Sequence, residues 1–167
     1  MKMKNKNTES RDKKQRHTAN LSELFPLMEQ CLRMGQSVKF SPRGTSMLPM
    51  IVPGRDSVTL SSPPERLKKF DIPLYRREDG SFVLHRVVKV GDSYTCIGDH
   101  QFKTEPGIEH GQVMAVVTAF TRKGKTYSVS CAGYRLYCVL WHISRPARRV
   151  WRALRVRASR LKRKILS

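Results

Sequence analysis

One hydroxyl group in the sequence stands in a setting that suits nucleophilic chemistry. The stretch GTSMLP (44–49) places Ser46 between a glycine turn and an apolar run. A serine hydroxyl is a poor nucleophile at neutral pH, so acyl transfer to it needs a nearby base and donors for the developing oxyanion. Gly44 allows a tight turn, and Met47 and Pro49 offer an apolar floor, so these three are candidate substrate-binding residues. The alternative is a turn serine that hydrogen-bonds only its own backbone.

An imidazole and a carboxylate elsewhere in the chain could activate that hydroxyl. His85 lies in an otherwise apolar run, FVLHRVV (82–88), where its ring must find a polar partner or line a cleft. Its ordinary pKa of about 6.5 suits a base near pH 7, whereas Lys39 or Lys89 would need a strongly lowered pKa. Asp99, in the loop IGDHQ, could hold the second ring nitrogen. The alternatives are a core histidine bonded to a carbonyl and a turn aspartate that caps its own backbone.

Short apolar runs separated by turn residues predict a mainly β body, an irregular antiparallel one, between residues 37 and 130. Strands are expected at 57–60, 72–76, 82–90, 93–97, 112–120 and 126–130. The intervening residues 78–80, 91–92 and 122–125 have the composition of hairpin turns. A hairpin of 82–90 with 93–97 would bring the loop of Asp99 back toward His85.

Apolar residues with helical periodicity predict a helix before this β body and a helical segment after it. An apolar stripe predicts an N-terminal helix of about three turns that ends at Gly35, a typical C-terminal cap; the stripe comprises Leu21, Leu24, Phe25, Met28, Cys31 and Leu32. After Gly133 an apolar period of about 3.6 residues returns and predicts a basic amphipathic helical tail. Ser144 and Pro146 mark a break in it, because proline suits a fresh helix start.

The charge and composition of the chain limit the classes of partner that it can bind. The net charge of +20 divides into about +5 for residues 1–20, about +5 for 21–144 and about +10 for 145–167. Such basic ends attract polyanions. Since residues 134–166 also combine an apolar stripe with two tryptophans and no acidic residue, they are typical of a helix on an anionic membrane surface. A basic helix docked on its own domain and a nucleic-acid-binding helix are the alternatives.

The four cysteines show neither a CxxC pair nor zinc-ligand spacing, so we expect reduced thiols, no metal and a cytoplasmic location. The first residues carry positive charge without an apolar segment, and no window reaches the ~18 to 20 apolar residues that span a bilayer. Peripheral attachment to the inner face of the membrane fits these features. We divide the chain into a disordered basic arm (1–19), a catalytic body (20–130) and the helical tail (131–167).

Three stretches, in this order, resemble the conserved boxes of the signal peptidase I superfamily. GTSMLPMIVPGRDSV (44–58) is similar to its nucleophile box, KKFDIPLYRREDGSFVLHRVVKV (68–90) to its second and third boxes, and YTCIGDHQ (94–101) to its Gly-Asp box. The match covers about residues 36–120. It implies a signal-peptidase-like β fold and a serine endopeptidase that needs no cofactor.

The resemblance also implies roles for single residues. Ser46 matches the nucleophile, and its backbone N–H would be one oxyanion donor. His85, followed by arginine and an apolar pair, is similar to the base of the endoplasmic-reticulum and archaeal branch, where the bacterial enzymes have lysine. Asp99 would be the acid that orients the imidazole. The acidic pair that follows the Gly-Asp box in that branch is missing here, which leaves Glu105 as the alternative to Asp99.

Three positions depart from the family pattern. Arg55 is inserted into the usual Gly-Asp pair after the nucleophile box, Phe70 replaces the usual glycine before Asp71, and Pro73 interrupts the following strand. A proline belongs at a strand edge or bulge, so we expect an irregular sheet there.

The expected function is therefore peptide-bond hydrolysis through an acyl-enzyme, on a peptide or protein substrate bound in extended form beside Ser46. Two other functions remain open. One is a non-catalytic or regulatory peptide-binding module with basic nucleic-acid-binding ends, as in relatives of the SOS repressors, although no helix-turn-helix pattern precedes the β body. The other is a membrane-bound pseudo-peptidase that only grips peptides.

Overall fold

The computed structural model describes residues 21–165 and shows two antiparallel sheets flanked by helices. The predicted disordered arm, 1–19, and the last two residues of the tail lie outside these described residues. The elements are α1 (Leu21–Arg33), β1 (Val38–Phe40), β2 (Ser57–Ser61), β3 (Pro73–Arg76), β4 (Phe82–Leu84), β5 (Arg86–Val90), β6 (Tyr94–Ile97), β7 (Glu105–Ile108), a 3-10 turn (His110–Gln112), β8 (Val113–Arg122), β9 (Lys125–Ser128), α2 (Ala132–Ile143) and α3 (Arg145–Ile165).

The larger sheet has the strand order β1-β2-β8-β3-β4, and β9 also pairs with β8. All of its pairs are antiparallel, and the three predicted hairpin turns join β3 to β4, β5 to β6 and β8 to β9. β3 begins at Pro73, and its register against β8 shifts between Leu74 and Tyr75. The expected irregularity at Pro73 is thus confirmed. Two short strands, β1 and β7, were not predicted.

Within residues 21–165 the strands contain 42 residues and the α-helices 46, so antiparallel sheets with an N-terminal helix are confirmed, but strand does not predominate over helix. The cause is the length of α2 and α3 beside a body of short strands. An apolar core fills the space between α1, the segment after β1 and the larger sheet, and a second core lies between the two sheets around Tyr75 and Val87.

The chain passes from one sheet to the other at His85, which corrects the prediction of one strand over 82–90. β4 ends at Leu84 in the larger sheet, and β5 begins at Arg86 in the sheet of β5, β6 and β7. A continuous strand would leave two consecutive polar side chains in apolar surroundings. At the junction, both His85 and Arg86 are buried and find polar partners.

Helix α1 follows the predicted stripe. Phe25, Met28 and Leu32 are buried, and the Phe25 ring packs 4.7 Å from the ring of Phe82 on β4. At Gly35 the backbone has a φ of 73°, and the N–H groups of residues 35 and 36 donate to the carbonyls of residues 32 and 31. These two bonds form a Schellman motif, so the predicted glycine cap is confirmed.

The C-terminal helices divide at the predicted break. α2 ends at Ile143 and α3 begins at Arg145, one residue before Pro146. Within residues 21–165, none of the helices combines the length and the apolar character needed to cross a membrane.

A buried ion pair joins the smaller sheet to α2 and to the segment after β1. Arg86 donates from Nε and Nη2 to the two carboxylate oxygens of Asp99, at 2.8 and 2.7 Å, and both side chains are almost fully buried. The same guanidinium contacts the hydroxyl of Tyr134 and the sulfur of Cys138 on α2, and the sulfur of Met50 in the segment after β1. One side chain therefore ties three separate segments to the second sheet.

Asp99→Asn should lower the free energy of unfolding by about 3 to 5 kcal/mol, because it leaves the buried Arg86 cation without its counter-ion. Urea unfolding followed by circular dichroism measures this change. Asp92→Asn, on the exposed turn between β5 and β6, is the matched control and should shift stability by no more than about 0.5 kcal/mol. Equal unfolding midpoints for the two variants would contradict the structural role of Asp99.

Candidate active site

The segment of Ser46, between β1 and β2, is anchored by its buried apolar residues. Met47, Met50 and Ile51 enter the core, and the Ile51 N–H donates to the Met47 carbonyl at 2.9 Å in a single helical turn. Gly44 has a φ of 83°, which glycine adopts without strain and which turns the chain into this segment. Ser46 is left half-buried at the start of the turn.

The Gly-Asp loop holds the Ser46 backbone in place. The carbonyl of Ser46 accepts a 2.8 Å hydrogen bond from the N–H of His100. A Cβ added to Gly98 would lie 2.7 Å from that carbonyl oxygen and 3.0 Å from the Ser46 Cβ. The absence of a side chain at Gly98 thus allows the close approach of these two loops.

The inserted Arg55 is accommodated by an ion pair. Its guanidinium donates to both oxygens of Asp56 at 2.7 and 2.8 Å, and the same carboxylate accepts from the Val52 N–H at 2.9 Å. The Arg55 hydrogen bonds hold the pKa of Asp56 below its ordinary value, against the opposing effect of burial. Arg122 on β8 adds a hydrogen bond to the carbonyl of Met50. The end of the Ser46 segment is therefore closed by ionic contacts.

His85 is held from one side by a tyrosine and a glutamate. Its Nδ1 lies 3.1 Å from the Tyr75 hydroxyl and 3.5 Å from Oε2 of Glu105, while that hydroxyl donates to the same Oε2 at 2.7 Å. The hydroxyl has one proton and gives it to Glu105, so Nδ1 must be the donor to the tyrosine oxygen. This leaves the lone pair of the imidazole on Nε2.

Arg77 keeps Glu105 ionised. Its guanidinium donates to both carboxylate oxygens, at 2.5 and 2.7 Å, and these bonds lower the pKa of Glu105 despite its partial burial. Burial lowers the pKa of His85, and the negative charge of Glu105 opposes that shift only in part. Near pH 7 the site therefore contains a carboxylate and a neutral imidazole, the charge states that a base and its orienting acid require.

Ser46 and His85 line one cavity of about 240 Å³. Of the predicted substrate-binding residues, Gly44 and Met47 also line it, whereas Pro49 is exposed and is not among the lining residues. Residues 82–84 of β4 form one wall. The structure thus brings the hydroxyl and the imidazole, 39 positions apart in the chain, to the same cleft.

Asp99 does not take the position that the sequence suggested for it. Both of its oxygens bond to Arg86, and the carboxylate at hydrogen-bond range of the His85–Tyr75 pair belongs to Glu105. Consecutive residues of an extended chain point to opposite sides, so Arg86, the residue after His85, faces the Asp99 loop while the imidazole faces away from it. Of the two acids considered, Glu105 is the one that faces the imidazole.

A larger cavity of about 710 Å³ adjoins the cleft and shares Arg77 and Gln101 with it. Lys103 and Arg152 add positive charge to its walls. Tyr75, Arg77 and Gln101 were not identified from the sequence as parts of the site. Only the pairing of β3 with β4 and β8, which needs the fold, places the first two beside His85 and Glu105.

Among residues 21–165, no cluster of three or more His, Cys, Asp or Glu side chains is arranged to hold a metal ion. Comparison with known proteins identifies no relative: no family model, no curated protein and no solved structure matches the chain.

Gly98→Ala should displace the Ser46 segment, because the new methyl group would overlap the Ser46 carbonyl. We expect a loss of about 1 to 3 kcal/mol in stability and faster hydrogen exchange at the His100 amide, which measures the bond to Ser46 directly. Gly111→Ala is the control, since nothing lies within 4 Å of its added Cβ. Unchanged exchange at His100 in Gly98→Ala would show that the two loops are not in this contact.

Proposed function

We propose that the chain is a serine endopeptidase in which Ser46 is the nucleophile, His85 the general base and Glu105, rather than Asp99, the orienting acid. The observation that carries the proposal is the shared cleft of Ser46 and His85, with the imidazole held through Nδ1 by Tyr75 and Glu105. A core histidine needs only one partner. This one has its acceptor nitrogen free and a nucleophile on the same cavity wall.

The reaction follows from these charge states. Nε2 of His85 takes the proton of the Ser46 hydroxyl as Oγ attacks the carbonyl carbon of the peptide. The imidazolium is stabilised by Glu105 through the Tyr75 hydroxyl, and it then gives its proton to the departing amine. Water then attacks the ester and loses a proton to the same nitrogen, and the imidazolium returns that proton to Ser46 Oγ as the ester bond breaks and the acid is released. Arg77 keeps the carboxylate charged throughout.

Two of the departures from the family pattern also fit the proposal. Phe70 has a φ of 78°, the left-handed conformation that favours the glycine of the family. Arg55 closes the Ser46 segment by its bonds to Asp56. The backbone at Phe70 thus has a conformation typical of the family's glycine, although the residue itself is not glycine. These observations support a signal-peptidase-like site, and the ordered motifs supply the rest of the argument.

The substrate is proposed to be a peptide in extended form that pairs with β4. This strand is at one edge of the larger sheet, and its residues 82–84 form a wall of the cleft. An edge strand offers backbone groups to an added strand, and alternate side chains would then fall into the cavity. We further propose a cytoplasmic location, on the basis of four free cysteines.

Ser46→Ala should abolish labelling by a fluorophosphonate, in which the serine Oγ displaces fluoride from phosphorus. The probe needs no knowledge of the substrate. Ser41→Ala, on an exposed position of the same segment, is the control and should label like the unaltered chain. Once a cleaved peptide is known, kcat should fall by at least about a thousandfold in Ser46→Ala. Undiminished labelling of Ser46→Ala would exclude Ser46 as the nucleophile, and absence of labelling in the unaltered chain would favour the non-catalytic peptide-binding alternative.

The rate of labelling should rise with pH through a pKa below the ordinary 6.5 of histidine, because burial lowers the pKa of His85 and only the neutral ring can accept the proton. Glu105→Gln should slow the reaction and move this midpoint further down, since it removes the charge that favours the imidazolium. A pH series of labelling rates measures both. A rise that begins only above about pH 8 would instead indicate a lysine base.

A further inference from the structure

Helices α2 and α3 expose a row of large apolar side chains. Six of these are 52 to 66% exposed, and we call them the outer stripe: Leu136, Leu140, Ile143, Val150, Trp151 and Leu154. They follow one another at intervals of three or four residues, apart from the longer step across the break and the adjacent pair of Val150 and Trp151. Such spacing places them on one side of a helix. Isolated exposed apolar residues are common, but a continuous row of this kind marks an interaction surface.

The outer stripe is turned away from the body of the protein. The opposite side of α2 is docked: Tyr134 contacts Arg86, and the indole N–H of Trp141 donates to the Asp99 carbonyl at 3.2 Å. Each docked position is followed two residues later by a member of the stripe, as at Tyr134 and Leu136. Two residues correspond to about 200° of helix rotation. α2 therefore docks on its own domain and still leaves its apolar side uncovered.

The stripe continues from α2 into α3. The Ser144 N–H donates to the Leu140 carbonyl and the Arg148 N–H donates to the Ser144 carbonyl, both at 3.0 Å, so the helical hydrogen bonding spans the break. Arg148 lies on the docked side, with its guanidinium carbon 3.3 Å from the centre of the Trp141 ring. The two helices thus present one surface.

Positive charge lies beside this surface, since Arg149 and Arg155 are exposed next to Val150 and Leu154. α3 has 21 residues, of which ten are arginine or lysine and none is acidic. An apolar stripe bordered by cations fits an anionic lipid bilayer. The apolar side chains can enter among the acyl chains, and the cations can pair with the anionic headgroups above them. A nucleic acid would satisfy the cations but leave leucine, isoleucine and tryptophan in water.

We propose that the outer stripe, with its bordering arginines, lies in the interface of an anionic lipid bilayer and holds the helices parallel to it. Membrane docking of this surface does not depend on the peptidase proposal. Arg152 lines the cavity beside Glu105 while its neighbour Trp151 belongs to the stripe. Consecutive residues of a helix point about 100° apart, so this larger cavity and the outer stripe lie on different sides of α3.

Co-sedimentation of the full chain with vesicles tests this docking. Binding to phosphatidylcholine vesicles containing phosphatidylglycerol should exceed binding to phosphatidylcholine alone and weaken with salt. Leu140→Gln/Trp151→Gln should reduce the partition coefficient at least about tenfold, because two large apolar side chains no longer enter the lipid. Leu27→Gln/Met34→Gln is the matched control, since it removes two apolar side chains of similar exposure, one on α1 and one directly after it, and it should bind like the unaltered chain.

Trp151 serves as a second measure. Its emission should shift to shorter wavelength on addition of the anionic vesicles, and Trp151→Phe should lose most of that shift while still binding. Circular dichroism and fluorophosphonate labelling in the absence of vesicles should be unchanged in the stripe variant, which separates lost docking from lost folding or lost chemistry. Retained lipid binding in Leu140→Gln/Trp151→Gln, or an equal loss in the α1 control, would overturn the proposal. So would tight DNA binding in a gel-shift assay without vesicle binding.

Discussion

The buried pair of Arg86 and Asp99 is the contact on which the rest of the arrangement depends. Removing two charges from water is expensive, and it is tolerated only where good geometry and further hydrogen bonds compensate. Here the guanidinium makes two bonds to the carboxylate and also reaches the Ser46 segment through Met50 and α2 through Tyr134. The smaller sheet, the proposed nucleophile segment and α2 therefore share one point of attachment.

The proposed chemistry depends on His85, the residue that precedes Arg86 at the junction between the two sheets. His85 is the single residue between β4 and β5. Its ring and the guanidinium of Arg86 therefore contact different sets of residues. The imidazole faces the cleft and meets Tyr75 and Glu105, while Arg86 is enclosed between the sheets and α2. The ion pair of Arg86 and Asp99 is thus kept apart from the carboxylate of Glu105, which stays within reach of the imidazole. Arg77 then keeps that second carboxylate charged.

Local patterns predicted most of the elements but not how they join. The caps, the hairpin turns and the helix break depend on residue types within a few positions of one another, and Gly35, the turn at 122–125 and Pro146 indicated them correctly. The run 82–90 was interpreted as one strand because its apolar residues are continuous. Nothing in that pattern marks the point at which pairing changes from β3 to β6. The short strand β7, which carries Glu105, has no apolar alternation to reveal it.

The sequence by itself determined the candidate hydroxyl and imidazole, the helices at both ends and the basic apolar tail, since each depends on residue type and near spacing. It left open which carboxylate faces His85, because Asp99 and Glu105 are only six positions apart and both are plausible partners on composition. Only the tertiary structure decided that Asp99 pairs with Arg86 and that the apolar side of the tail is turned outward. Both outcomes depend on the direction in which side chains point once distant strands pair and α2 docks, and the chain acquires those directions only on folding.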